Sequence, residues 1–87
     1  MASARTARGL HKLFVRNLPW TVGNQELRSY FKDFGKVINA SVVFDKKTGL
    51  SKGYGFVTFN NLSLLQKVEN ESRHFLEGNY LNVQKQS

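Results

Sequence analysis

Residues 52 to 59 read Lys52-Gly53-Tyr54-Gly55-Phe56-Val57-Thr58-Phe59, a run rich in aromatic and β-branched side chains that predicts a β-strand. Side chains alternate between the two faces of a strand, so Tyr54 and Phe56 share one face with the lysine and the threonine. Val57 and Phe59 share the opposite face with the two glycines, a set suited to close packing against helices. We therefore expect Tyr54 and Phe56 to lie side by side on the face of the strand that meets water.

Two neighbouring aromatic side chains in contact with solvent point to a ligand, since an uncovered pair is an aggregation liability. The alternative is that the sheet is covered on both faces and that both rings belong to the core. A chain of 87 residues supplies only two short helices, which can cover one face of a sheet and leave the other open. The sequence therefore favours an open face.

A second strand-like segment lies at residues 13–17. The same alternation places Phe14 and Arg16 on one face, and they lie beside Tyr54 and Phe56 if the two strands are neighbours. Three aromatic rings flanked by cations form a platform on which bases stack while the cations neutralise phosphates. This arrangement is typical of a single-stranded RNA-binding surface.

The remaining elements complete a βαββαβ order. The first helix has Thr21 as its expected N-cap and an apolar face formed by Leu27, Tyr30, Phe31 and Phe34. Strands follow at 37–44 and 53–59. A second helix at 62–71 has an apolar stripe of Leu62, Leu65 and Val68, and a last strand lies at 80–84. Trp20 is expected to pack at the end of the first strand. This order predicts an α+β sandwich in which one antiparallel sheet carries two helices on one face.

Composition limits the class of function. The formal charge is +7, from 13 Lys and Arg against 6 Asp and Glu, which indicates a polyanionic partner or simply a basic soluble protein. The chain has no cysteine, and His11 and His74 have no partner at ligand spacing, so neither a metal nor another cofactor is expected. Glu26, Asp33 and Asp45 lack the paired spacing of acid–base chemistry, so we expect a binding protein and no enzyme. No apolar run reaches the roughly 20 residues of a transmembrane helix.

Residues 1–11 differ in composition from the domain predicted at 12–87. They contain Arg5 and Arg8, several small or hydroxyl side chains and no acid. This pattern is weakly like a mitochondrial presequence, which is rich in Arg and Ser and poor in acids. A basic arm that touches phosphates explains the same composition, and the residues alone leave both interpretations open.

The octamer at 52–59 resembles the ribonucleoprotein octamer of the RNA-recognition motif, and residues 13–18 resemble its companion hexamer. The resemblance covers about residues 12–85. It implies a ferredoxin-like sandwich with a four-stranded antiparallel sheet of order 4-1-3-2, and single-stranded RNA lying across that sheet. It also implies stacking by Phe14, Tyr54 and Phe56 and a phosphate contact from Lys52. Arg16 stands where the family usually has glycine, and its guanidinium there either stacks on a base or binds a phosphate.

Polar side chains on the other two strands are secondary candidates. Asn39, Ser41 and Val43 share the face of the second strand opposite Ile38, Ala40, Val42 and Phe44, and Asn82 and Gln84 lie on the last strand, where the family often places base contacts. We predict that these five residues contact RNA. The alternative, which the sequence leaves open, is that they are solvated positions on the sheet.

A closer resemblance within the family rests on Phe14-Val15-Arg16, Pro19-Trp20-Thr21, Phe44-Asp45-Lys46 and Thr48-Gly49. These residues resemble small mitochondrial members with a single motif, which implies stabilisation of mitochondrial mRNA and a pentatricopeptide-repeat partner. Pro-Trp-Thr also recurs in nuclear members, so a nuclear location and mRNA processing stay open. A further alternative is a protein-interaction module that uses the helical face. Retention of the sheet aromatics favours RNA binding over that alternative.

Overall fold

The computed structural model describes residues 11–71 and 73–86, so the predicted arm or targeting segment lies outside the described residues except for His11. The elements are β1 (His11–Arg16), α1 (Asn24–Lys32), β2 (Asn39–Phe44), β3 (Ser51–Phe59), α2 (Leu62–Asn70), β4 (His74–Leu76) and β5 (Asn79–Gln86). No helix in this part of the chain is long and apolar enough to cross a membrane.

The strands form one sheet of order β2-β3-β1-β5-β4, in which neighbouring strands are antiparallel. Because β5 is the last predicted strand, the predicted order 4-1-3-2 is confirmed as β5-β1-β3-β2. The four predicted strands form the core of the sheet, and the short strand β4 adds a fifth at its edge. The turn from β4 to β5 consists of Glu77 and Gly78, with φ of 47° and 95°. Two consecutive positive φ angles are characteristic of the type I′ turn, whose twist suits a tight hairpin.

The core lies between the helices and one face of the sheet. Leu13 and Val15 of β1 and Val57 and Phe59 of β3 are fully buried, as the alternation predicts. Helix α1 contributes Phe31, whose ring centroid lies 6.4 Å from that of Phe59. Burial of each such side chain stabilises the fold by roughly 1.5–3 kcal/mol. The buried side chains therefore tie both helices to the same side of the sheet.

Helix starts are set partly by contacts that the local sequence pattern does not reveal. Gly23 is the N-cap of α1, and its N–H donates to a Glu26 carboxylate oxygen at 2.9 Å. The prediction that Thr21 caps this helix was wrong, because the Thr21 hydroxyl donates instead to the carboxylate of Glu77 in the β4–β5 turn. Helix α2 is capped by Asn61, whose side-chain oxygen accepts from the Leu64 N–H at 3.2 Å.

Several residues predicted to pack inside lie at the surface. Leu62 is 41% exposed, whereas Leu65 and Val68, the other two residues of the predicted stripe, are buried. Trp20 is 76% exposed, so the prediction that it packs at the end of the first strand was wrong. On β2, Ala40 and Val42 are buried as expected, whereas Ile38, which precedes the strand, and Phe44, its last residue, are exposed. The pairing of β2 with β3 is irregular between Val42 and Phe44.

At Gly55 the backbone of β2 leaves no room for a side chain on β3. A Cβ atom at this position would lie 2.4 Å from the Ser41 carbonyl oxygen and 3.0 Å from the Val42 Cα. The expectation that the glycines of β3 admit the helices was therefore wrong for Gly55, since the backbone it admits is that of β2. The Asn24 side chain completes this corner, because its oxygen accepts from the Val42 N–H at 2.7 Å and ties α1 to β2.

His74 is a buried polar residue with both ring nitrogens hydrogen-bonded. Its Nε2 lies 2.7 Å from the Val68 carbonyl oxygen and its Nδ1 lies 2.8 Å from the Tyr30 hydroxyl. A carbonyl oxygen can only accept, so Nε2 carries the proton and the Tyr30 hydroxyl donates to Nδ1. Burial raises the pKa of Tyr30, and the negative charge of Glu71 adds to this effect. The tyrosine therefore stays protonated and links α1 to the first residue of β4.

Candidate nucleic-acid interface

Three aromatic rings meet on the sheet face opposite the helices. The antiparallel register of β1 and β3 sets Phe14 directly across from Phe56, and Arg16 across from Tyr54. The ring centroid of Phe14 lies 5.2 Å from that of Phe56 and 5.6 Å from that of Tyr54. We call these three residues the platform. The predicted juxtaposition of the two strands is confirmed.

The platform rings are neither core nor fully exposed. Each is partly accessible to solvent, whereas Val15 and Val57, their neighbours on the other face, are fully buried. Contacts between the rings restrict their rotation. The platform is thus a restrained, partly exposed aromatic surface.

Cationic side chains surround the platform. The Lys12 ammonium lies 5.4 Å from the centroid of the Phe56 ring, within the range of a cation–π interaction. Arg16 is exposed beside Tyr54, and Lys52 is exposed near the start of the same strand. The sequence interpretation did not include Lys12, although it has the same strand parity as Phe14. These cations make the surroundings of the rings favourable for phosphates.

The predicted polar candidates flank the platform on both sides. On β2, Asn39 pairs with Thr58 and Ser41 pairs with Phe56. On β5, Asn82 pairs with Arg16 and Gln84 pairs with Phe14. The four side chains on the outer strands, Asn39, Ser41, Asn82 and Gln84, are exposed. Val43 lies in the irregular pairing of β2 and is half-buried.

The turn between β2 and β3 is ordered by Asp45. Its carboxylate accepts from the N–H groups of Lys47 at 2.8 Å and Thr48 at 3.0 Å. The backbone bond from Thr48, followed by that from Lys47, lowers the pKa of Asp45 below its usual value. The aspartate therefore stays ionised and holds the turn that carries the exposed Lys46 and Lys47 at one end of the platform strands.

Sequence reasoning missed a second exposed aromatic pair, Phe75 of β4 and Tyr80 of β5. Tyr80 has the same strand parity as Asn82 and Gln84, so alternation along the last strand was a usable indication for it. Nothing comparable indicated Phe75, because β4 has only three residues and was not predicted.

An antiparallel sheet with helices on one side and aromatic and cationic side chains on the other defines a class of small α+β domains that bind nucleic acid on an open sheet. The chain belongs to the RNA recognition motif family, and the family model matches residues 13–81.

Relatives agree with this assignment. The chain is 37% identical to the mitochondrial SRA stem-loop-interacting RNA-binding protein of Mus musculus over 86 residues, which cover 99% of this chain and 77% of that protein. It is 40% identical to the protein of the same name in Bos taurus over 82 residues, covering 94% and 74%. Among solved structures, that of the first two RRM domains of the yeast poly(U)-binding protein Pub1 matches with a TM-score of 0.84 at 32% identity. That match covers 93% of this chain and 50% of the two-domain chain.

Proposed function

We propose that this protein binds single-stranded RNA across the open face of the sheet, with bases stacked on Phe14, Tyr54 and Phe56. The observation that carries the proposal is the contact cluster of the three rings on a face that the helices leave open. Lys12, Arg16 and Lys52 supply positive charge around it, and Asn39, Ser41, Val43, Asn82 and Gln84 are the candidate base-reading side chains. Membership in the family supports the same function.

The proposed function is tested by comparing single-stranded and duplex RNA of the same sequence. Stacking on the platform needs the flat face of an unpaired base, and the bases of a duplex are already stacked on one another. Fluorescence anisotropy with one labelled RNA of about 12 nucleotides, within the usual size range of such sites, alone or annealed to its complement, is expected to show much tighter binding to the single strand. Equal affinity for the duplex would mean that the protein recognises phosphates alone.

Replacing Lys52 with alanine is expected to weaken binding to all RNA sequences alike. One phosphate contact changes the slope of log K against log salt concentration by about 0.7 for single strands. Titrations at several salt concentrations measure this slope. Lys32, exposed at the end of α1, provides the control, since Lys32→Ala removes the same charge on the helical side. If both variants shift the slope equally, Lys52 acts only through net charge.

We further infer that the RNA is mitochondrial mRNA and that binding contributes to its stability, with a pentatricopeptide-repeat protein as partner. The mitochondrial names of the mouse and cattle relatives support the compartment. The helices lie opposite the platform, so a protein bound to them leaves the rings free for RNA. Crosslinking in cells followed by sequencing of the bound RNA is expected to recover mitochondrial transcripts. Recovery of nuclear transcripts would refute the compartment and leave RNA binding intact.

A further inference from the structure

The hairpin of β4 and β5 carries an aromatic pair that the core does not use. Phe75 and Tyr80 are direct cross-strand partners with ring centroids 4.9 Å apart and ring planes at 60°. Phe75 is 53% exposed and Tyr80 is 55% exposed. Both residues are thus more than half exposed, which is costly for large aromatic side chains unless a ligand covers them.

The pair lies on the same face of the sheet as the platform. His74 and Leu81 are paired across the hairpin and both are buried on the helical side. Because side chains alternate along each strand, Phe75 and Tyr80 point to the opposite side. Along β5 that side continues through Asn82 and Gln84, which pair with the platform strand β1. The second pair therefore extends the proposed RNA-binding face.

A cation accompanies the second pair, as it does the platform. The guanidinium carbon of Arg73 lies 5.4 Å from the centroid of the Tyr80 ring. The platform shows the same combination, with Lys12 over Phe56. A cation close to an exposed ring suits a ligand that presents a flat aromatic group next to an anion, as each nucleotide does. This repeated chemistry favours RNA over an apolar protein segment as the occupant.

Hydrogen bonds fix the second pair relative to β1. The Asn17 side-chain amide donates to the Tyr80 carbonyl oxygen at 2.8 Å, and the Asn79 amide donates to the Asn17 carbonyl oxygen at 3.0 Å. By strand register Tyr80 lies four residues beyond the partner of Phe14 on β5, a separation of roughly 14 Å at about 3.3 Å per residue and 4.8 Å per strand. A few nucleotides of an extended strand span such a distance.

Arg16 and Asn82 bridge the space between the two aromatic groups. They line one recess together with Tyr80, and Glu69 and Glu71 at the end of α2 line the same recess. The carboxylates repel phosphates, so the backbone of a bound strand is expected to pass on the side of Arg16.

We propose that Phe75 and Tyr80, with Arg73, form a second stacking subsite that holds a further base of the same RNA strand bound by the platform. The inference rests on the proposed function and extends its footprint beyond β1 and β3. It requires that the subsite contribute only when the RNA is long enough to reach it.

The test uses the full chain and two labelled randomised RNAs, one of about 4 and one of about 12 nucleotides, within the range of known single-strand sites. The variant Phe75→Val with Tyr80→Thr removes both rings but keeps residues that favour strands. It is expected to bind the long RNA about tenfold more weakly, because one stacked base contributes about 1–3 kcal/mol, and to bind the short RNA like the unmodified protein. Arg73→Gln is expected to act in the same direction with a smaller effect.

Two further variants separate the possible outcomes. Leu62→Ala removes an exposed apolar side chain from α2 and is expected to leave both affinities unchanged, and thermal unfolding verifies that each variant is folded. Suppose that Tyr54→Ala with Phe56→Ala loses binding to both RNAs while Phe75→Val with Tyr80→Thr binds both like the unmodified protein. That result overturns the second subsite and leaves the platform intact. If Phe75→Val with Tyr80→Thr loses a protein partner but keeps its affinity for both RNAs, the second subsite is likewise overturned. If neither pair of substitutions affects binding, the proposed function itself fails.

Discussion

Replacing Tyr54 and Phe56 together with alanine is expected to weaken RNA binding by about two orders of magnitude or more. Stacking on an aromatic ring contributes roughly 1–3 kcal/mol per base, and the double substitution removes two of the three rings of the platform. It also removes the two aromatic neighbours of the Phe14 ring, whose centroids lie at 5.2 and 5.6 Å. The Phe14 ring is therefore less well ordered and is the one ring of the platform that remains. Titration of a labelled single strand at fixed salt concentration measures the loss.

The same double variant is expected to stay folded, because both rings lie on the side of β3 away from the core. Thermal unfolding followed by circular dichroism checks this point. Phe44→Ala is the matched control, since it removes an exposed aromatic side chain from β2, and its RNA affinity is expected to equal that of the unmodified protein. An unchanged affinity in Tyr54→Ala with Phe56→Ala, with the protein folded, would refute stacking on the platform.

The faces of the central strands could be predicted because alternation is a local property. Residues 13–17 and 52–59 each place apolar side chains on one face and aromatic or cationic ones on the other. Once β1 and β3 are neighbours, the pairing of Phe14 with Phe56 follows from register alone. The helix count and strand order followed from the order of elements and the resemblance to the family. For these reasons the platform was predictable from the sequence.

Features that depend on distant contacts could not be predicted in this way. Thr21 has the chemistry of an N-cap, yet its hydroxyl donates to the carboxylate of Glu77, 56 residues away. His74 is buried because the Val68 carbonyl and the Tyr30 hydroxyl satisfy both of its nitrogens. A three-residue strand such as β4 has too short a pattern to be recognised, and its hairpin turn places a glutamate at positive φ, which sequence preference disfavours. Phe75 of the second aromatic pair was missed for the same reason.

Replacing Phe59 with alanine is expected to lower the free energy of unfolding by about 3–5 kcal/mol, the range for removal of a buried phenylalanine. Phe59 is fully buried and its ring packs near that of Phe31. Domains of this size have total stabilities of about 5–15 kcal/mol, so much of the stability would be lost. Urea unfolding measures the change.

Phe56, three residues earlier on the same strand, makes the comparison decisive. Phe56→Ala is expected to cost little stability and to weaken RNA binding, whereas Phe59→Ala is expected to do the reverse at temperatures where it remains folded. If Phe59→Ala does not fold, Phe59→Leu, which leaves a smaller cavity and costs less stability than alanine, provides the same comparison. Equal losses of stability from Phe56→Ala and Phe59→Ala would contradict a sheet with one buried and one open face. If Phe56→Ala affects mainly RNA binding and Phe59→Ala mainly stability, then Phe56 belongs to the RNA-binding face of β3 and Phe59 to the core.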